Sequence, residues 1–186
     1  LFRSVLARAE RNSISVSEEF DFLRTYLAIE QVRFGQRLRV EMTIDPAIAN
    51  SQLPPLILQP IVENAIKHGL SPKRESGWLK IQAEQAENSL RLTVEDNGAG
   101  WNELPSAKIS SRNQGVGLKN VRERLLTIYE GHADLQISSN FAAETGQGTQ
   151  ITITIPLSHQ DEAQNADHRR RSFGAVAPAE AARRAS

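Results

Sequence analysis

The chain has 186 residues, 39% of them hydrophobic, a formal net charge of zero and no cysteine. That is enough for one good core. The neutral balance removes the electrostatic argument for nucleic acid or an anionic membrane surface, and the lack of thiols excludes disulfides and thiolate metal sites.

No apolar run approaches the roughly 18–20 residues that cross a bilayer, and no signal peptide is present, so a soluble, cytosolic fragment of something larger is expected. Residues 1–14 set scattered apolar positions among polar ones and predict the end of a longer helix. Ser15-Val-Ser-Glu18 has the spacing of a capping box, in which the hydroxyl and the carboxylate satisfy free amides at a helix start. The helix that follows is expected to reach about Phe34 and end at Gly35. Phe20, Leu23 and Leu27 lie on one side of it and Phe22, Tyr26 and Ile29 on the other, the pattern of a connector helix with two contact faces. Leu38, Val40, Met42 and Ile44 then alternate with polar residues as a half-buried strand does.

The next stretch, Leu53 to Gly69, is the one around which the chain is organised. Pro55 suits the first position of a helix and Gly69 the left-handed position that ends one. Leu56, Ile57, Leu58, Ile61, Val62, Ala65 and Ile66 fall at helical spacing and leave Glu63, Asn64, Lys67 and His68 as a polar cluster. Asn64, Lys67 and His68 stand at i, i+3 and i+4 and share a face. Polar groups on a mostly buried helix are costly unless they meet a polar ligand or water; alone, the pattern fits a solvated stripe equally well. Pro60, inside the run, should kink or restart the helix.

Leu79, Ile81 and Ala83, then Leu90, Leu92 and Val94, alternate on either side of a hairpin turn at 85–88. The second strand runs into Asp96-Asn-Gly-Ala-Gly100. An Asn-Gly pair usually makes a type I′ hairpin, but no strand follows here. Two glycines around one residue instead let backbone approach a ligand, with Asp96 as an acceptor at the buried strand end. The segment lacks the alternating oxygen ligands of a calcium loop. A polar loop, 101–114, leads to Gly115-Val-Gly117-Leu118, which opens a helix to about Tyr129, with Leu118, Val121, Leu125 and Ile128 inward and Gly131 closing it. Free amides at such a start can hold an anion. The third glycine of a dinucleotide fingerprint is missing and there is no Gly-Lys-Ser/Thr phosphate loop. Leu135 and Ile137 begin a strand. Gly146-Gln-Gly148-Thr149 precedes the last one, Ile151, Ile153 and Ile155, ended by Pro156. From His159 onward the composition is that of a disordered tail. This order of elements predicts an α/β sandwich, a mixed sheet with helices on one face.

Each motif is weak singly, but their order and spacing resemble the ATP-binding domain of sensor histidine kinases, in the superfamily that also holds gyrase, HSP90 and MutL. Glu63-Asn-Ala-Ile-Lys-His68 is similar to the N box, Asp96 to Gly100 to the G1 box, Gly115-Val-Gly-Leu118 to the G2 box, and Gly146-Gln-Gly-Thr149 to the last glycine motif. Tyr26 to Gly35, Leu53 to Gly69 and Gly117-Leu-Lys-Asn-Val-Arg-Glu-Arg-Leu125 look like the autolysin-regulator (LytS-type) subclass.

The resemblance implies a two-layer α/β ATP-binding (Bergerat, GHKL) fold over 37–157. It implies a connector helix over 1–36, from the end of a dimerisation and phosphoacceptor region, and leaves 158–186 as tail. It implies a protein-histidine kinase catalytic domain that takes ATP and Mg²⁺ and delivers the γ-phosphate to a histidine on a domain absent from the fragment. Asn64 would hold Mg²⁺, Lys67 would meet a phosphate, and Asp96 would accept from the adenine amino group with Thr149 nearby. Gly98 and Gly100 would give the base room, Gly115, Gly117 and Leu118 would open the helix under a lid, His68 would face phosphate or solvent, and Glu63 would activate or orient as a catalytic residue beside Asn64 and Lys67, or sit as a helix surface acid. A phosphoacceptor Pro-His-Phe motif is missing: His68, His132, His159 and His168 lack that context. The implied partners are the phosphoacceptor domain of the same protein and a response regulator, in a full-length homodimer anchored in the membrane, with no nucleic acid and no membrane contact by the fragment itself. An ATPase switch of the gyrase or HSP90 kind is the competing implication. Those proteins carry a water-activating glutamate four residues before the magnesium asparagine, where this chain has Pro60. A non-catalytic nucleotide sensor is the other.

Overall fold

The computed structural model describes residues 12–100, 116–139 and 148–157. The expected capping box forms. Ser15 Oγ accepts the Glu18 amide at 3.2 Å and Glu18 Oε2 accepts the Ser15 amide at 3.0 Å, which starts helix α1 (Val16–Phe34). Gly35 ends it at φ 59, a conformation that glycine adopts without steric cost. Helix did not extend back over residues 12–15, and 1–11 lie outside the described residues. Ile14–Ser15 instead form a short strand, β1, paired antiparallel with β3 (Gln52–Leu53), which seats Ile14 and Leu53 opposite each other in the core. α1 buries Phe20, Leu23 and Leu27, and Phe22 on its other flank. Ile29, expected on that second face, is exposed, as is Val32 at 85%.

Five strands make one mixed sheet in the order β2-β4-β5-β7-β6, with β2 (Leu38–Ile44) parallel to β4 (Gly77–Ala86). β5 (Ser89–Asp96), β7 (Thr149–Pro156) and β6 (Asp134–Ser139) follow antiparallel. The β4–β5 hairpin turns on Glu87 and Asn88, with Glu87 at φ 53. Alternation decides which side is buried. Leu79, Ile81, Leu90, Leu92, Val94, Ile151, Ile153 and Ile155 join the core under the helices. The opposite face carries polar pairs such as Gln150 to Glu95 at 2.7 Å and Arg91 to Glu84 at 3.2 Å. One helical layer thus covers one face, the α/β sandwich expected.

α2 (Gln59–Asn64) and α3 (Val116–Ile128) complete that layer and pack on each other. A Cβ on Gly117 would lie 3.1 Å from Pro60 Cβ, so the glycine allows the two helices to approach. Leu118, Val121 and Leu125 face inward as expected; Ile128, the last residue of α3, is exposed instead. Among the described residues, no helix is long and apolar enough to cross a membrane.

Ser15→Ala should remove the reciprocal cap and lower stability by about 1 kcal/mol. Urea denaturation should show this as a lower midpoint at unchanged slope.

Candidate functional site

The segment from Leu53 to Gly69 does not start its helix at Pro55. Leu56 takes φ 59, so the chain turns back on itself before α2 begins at Gln59, and it is Pro60 that occupies the first helical turn. A proline is tolerated there because its missing donor has no partner to lose. The elbow is gripped from two sides. Glu19 of α1 accepts the amides of Leu56 and Leu58 on its two carboxylate oxygens, each at 2.9 Å, and Arg124 of α3 donates to the Pro55 carbonyl at 2.6 Å.

Beyond Asn64 the helix widens into a π-turn over Ala65–Leu70, with the Ser71 amide on the Ile66 carbonyl at 2.8 Å. Gly69 lies within that turn with no left-handed dihedral. Its missing side chain serves another purpose. A Cβ there would sit 2.6 Å from Asp96 Oδ1, while one on Gly98 would fall 2.3 Å from the Gly69 carbonyl carbon. The Ala99 amide bonds the Gly69 carbonyl at 3.0 Å and closes this contact. The room at Gly98, expected to go to a base, is thus taken by Gly69 backbone. Gly100, at φ 79, stands one residue further out.

Asp96 and Thr149 are direct partners across β5 and β7, and both are buried, Asp96 to 3% exposure. The Gly98 amide donates to Asp96 Oδ1 at 2.8 Å. Burial pushes this carboxyl up to about 6, opposed by the Gly98 hydrogen bond and the nearby Lys73 ammonium. Lys73 Nζ itself donates to the Asn97 carbonyl at 2.6 Å, and Asn97 Oδ1 accepts the Trp78 amide at 2.7 Å. Asn97 is therefore a clasp between β5 and β4.

Asn64 is half-buried, and its Nδ2 is buried without a hydrogen-bond partner among the described residues. Native interiors rarely leave such a group unpaired. Glu63 beside it accepts Gln59 Nε2 at 2.9 Å and Lys67 Nζ at 2.6 Å, so the two charged residues of this face pair with each other. His68 is exposed. Among the described residues there is no cluster of three or more His, Cys, Asp or Glu side chains able to hold a metal. Leu118 puts its side chain in the core, leaving only its backbone to a ligand. Gly115 and Gly146 lie outside the described residues, as does the 101–114 loop. Sequence reasoning did not single out Glu19 or Lys73, and it met Asn97 and Arg124 only as members of motifs, without these hydrogen bonds. The partners of all four lie far along the chain, so no local signal points to them.

The site can thus offer a buried carboxylate at the glycine contact and, on the helix that leads to it, an amide with an unpaired nitrogen and an exposed ammonium. Residues 50–159 match the family described as histidine kinase-, DNA gyrase B- and HSP90-like ATPases, and residues 1–38 match a histidine kinase family. The chain is 35% identical to the sensor histidine kinase YesM of Bacillus subtilis, across 81% of this chain and 25% of that protein. It is 34% identical to the sensor protein LytS of Staphylococcus saprophyticus, across 87% of this chain and 27% of that protein. It therefore spans about a quarter of the length of these two relatives. Among solved structures, the Acinetobacter baumannii histidine kinase AdeS superposes with a TM-score of 0.56 at 18% identity, covering 79% of this chain and 67% of that one. At that identity the likeness speaks for the fold.

A carboxyl raised from 3.8 to about 6 takes up a proton on folding, so its contribution to stability falls as pH rises from about 4 through 6. Asp96→Asn keeps an acceptor for the Gly98 amide and removes the buried charge. The stability difference, variant minus wild type, should grow by roughly 1–3 kcal/mol between pH 4 and pH 7.5. Thermal melting across that range checks it; a gap independent of pH would contradict the burial argument.

Proposed function

The chain belongs to the family of histidine kinase-, DNA gyrase B- and HSP90-like ATPases, and from that premise we propose that it is the ATP-binding catalytic domain of a two-component sensor histidine kinase. It holds MgATP so that a histidine nitrogen on the phosphoacceptor domain of the same protein attacks the γ-phosphorus and ADP leaves. The cognate response regulator then receives the phosphoryl group. The full protein is a homodimer anchored in the membrane, and this domain works on the cytoplasmic side.

The observation that carries this reading is the buried Asp96 carboxylate set against the backbone at the Gly69–Gly98 contact, with Gly69 in the same helical run as the half-buried Asn64. Asp96 suits the exocyclic amine of adenine, with Thr149 beside it. Asn64 suits Mg²⁺, which keeps several waters and needs one or two protein oxygens plus substrate phosphates. The Oδ1 of Asn64 would supply such an oxygen, while its unpartnered Nδ2 is a donor suited to a water or phosphate oxygen; a site with many carboxylates would suit calcium better. The ion, when bound, would neutralise charge developing on the phosphates. Lys67 leaves Glu63 to meet a phosphate as a point charge, and Glu63 holds it near until then. Catalysis on this scheme is positioning and charge neutralisation. Pro60, packed against Gly117 where the ATPase relatives would carry their base, favours the kinase over hydrolysis.

Calorimetry tests the assignments. ATP should bind at least about tenfold more tightly than GTP, whose O6 would face Asp96 as acceptor against acceptor, since an unpaired buried polar group costs about 1–3 kcal/mol. Asn64→Ala should weaken MgATP far more than metal-free ADP; equal losses would make the amide structural. With radiolabelled ATP, acid-labile phosphate should appear on a supplied upstream phosphoacceptor domain and not on this chain alone. Brisk turnover without an acceptor would favour the ATPase.

A further inference from the structure

The contact between α1 and the elbow before α2 is made by a charged side chain. Glu19 is fully buried, and its two carboxylate oxygens are each committed to a backbone amide on either side of Ile57. A buried carboxylate is costly unless charge-assisted hydrogen bonds satisfy it. The segment it holds contains Leu56 at φ 59, a region that a branched, bulky residue leaves when it can. Such a conformation persists only where the surroundings over-determine it. Here Glu19 grips the amides and Arg124 grips the Pro55 carbonyl from the opposite helix.

We propose that Glu19 is a positioning residue for the phosphate end of the site: by fixing the amides of Leu56 and Leu58 it sets the rotation of α2, and so the direction of Asn64 and Lys67. This rests on the nucleotide reading for what those two side chains do, and on geometry for the rest. The Leu58 carbonyl accepts the amides of Ile61 and Val62, so the helix is continuous from the gripped residue to Asn64. A rotation imposed at the elbow is carried to the side chains one and a half turns on. Two turns beyond Glu19 on the same helix, burial above all, and then the charges of Glu30 and Glu63, push the pKa of the Tyr26 hydroxyl up. Asp96 and Thr149, by contrast, are fixed by strand pairing and by the Gly98 amide. Movement of α1 reaches the phosphate end and spares the base end.

Glu19→Gln tests this, because it keeps shape and one acceptor while turning an amine on the second amide. Affinity for MgATP should fall at least about tenfold and affinity for adenosine should stay within about twofold, both measured well below the melting temperature of each variant. Amide hydrogen exchange should accelerate across 56–70 and not in β5 or β7. Adding Leu56→Gly, which accepts φ 59 without strain, should recover at least about threefold of the MgATP loss. Equal losses for both ligands, or a lower melting temperature with MgATP affinity unchanged, would reduce Glu19 to a structural residue. Should Glu19→Gln fail to fold, Arg124→Gln at its half-exposed position should weaken MgATP about threefold with adenosine unaffected, and no change there overturns the proposal. A wild-type chain that binds neither ligand would overturn the nucleotide reading instead; exchange over 56–70 unchanged in Glu19→Gln would still overturn the positioning role.

Discussion

The site depends on one contact between two residues that have no side chains. Gly69 and Gly98 meet backbone to backbone, and a methyl group on either would fall within 2.6 Å of a heavy atom of the other element. That approach brings the end of β5 against the helix carrying Asn64. The π-turn is its counterpart on the helical side: the widened turn carries Gly69 to the end of β5, where its carbonyl takes the Ala99 amide. Asn97 and Lys73 then tie the loop to β4 and to the Asn97 carbonyl, so the glycine contact is held from both directions. Close packing without intervening side chains makes the distance between the end of β5 and the π-turn after Asn64 a property of backbone, insensitive to rotamer.

Much of this was legible in the sequence because periodicity and capping are local. The reciprocal Ser15–Glu18 cap, the alternation of β2, β4, β5 and β7, and the inward stripe of α3 follow from residue spacing alone. The failures share a cause. Pro55 and Gly69 were assigned by local rules to the two ends of one helix, whereas long-range contacts decide both ends. Glu19, 37 residues before Leu56, holds the elbow that delays the helix, and Asp96, 27 residues after Gly69, occupies the space that its Cβ would need. Ile29 and Ile128 were placed inward by period, but period gives a stripe and not its width. Asp96 was legible as an acceptor at a buried strand end, but its partner Thr149 across the sheet follows from long-range register.

Burying Asp96 has a standing cost, visible in the upward shift of its carboxyl and in the single amide that satisfies it. A carboxylate kept dry with spare acceptor capacity is poorly matched to its own fold and well matched to an incoming donor. The same logic applies to Asn64, whose amide lacks a partner, and to Leu56, held at a dihedral that costs on the order of 1–3 kcal/mol. Among the described residues these are three of the places where the chain departs from local rules, and such departures are expected in a functional protein.

These three departures are not equivalent, and the difference bears on control. Asp96 is locked into the five-stranded sheet by register on both sides, through Leu79 of β4 and Thr149 of β7, so nothing short of strand separation moves it. Asn64 stands on a helix of six residues whose start is held by side chains from two other helices. Sheet register is discrete, because a one-residue slip would turn every side chain to the other face. A helix gripped at its end by a carboxylate and a guanidinium has no such discrete register, so its rotation is set by where those two grips lie. On the positioning role proposed for Glu19, the sheet fixes Asp96 while the direction of Asn64 follows α1 through the two amides that Glu19 holds.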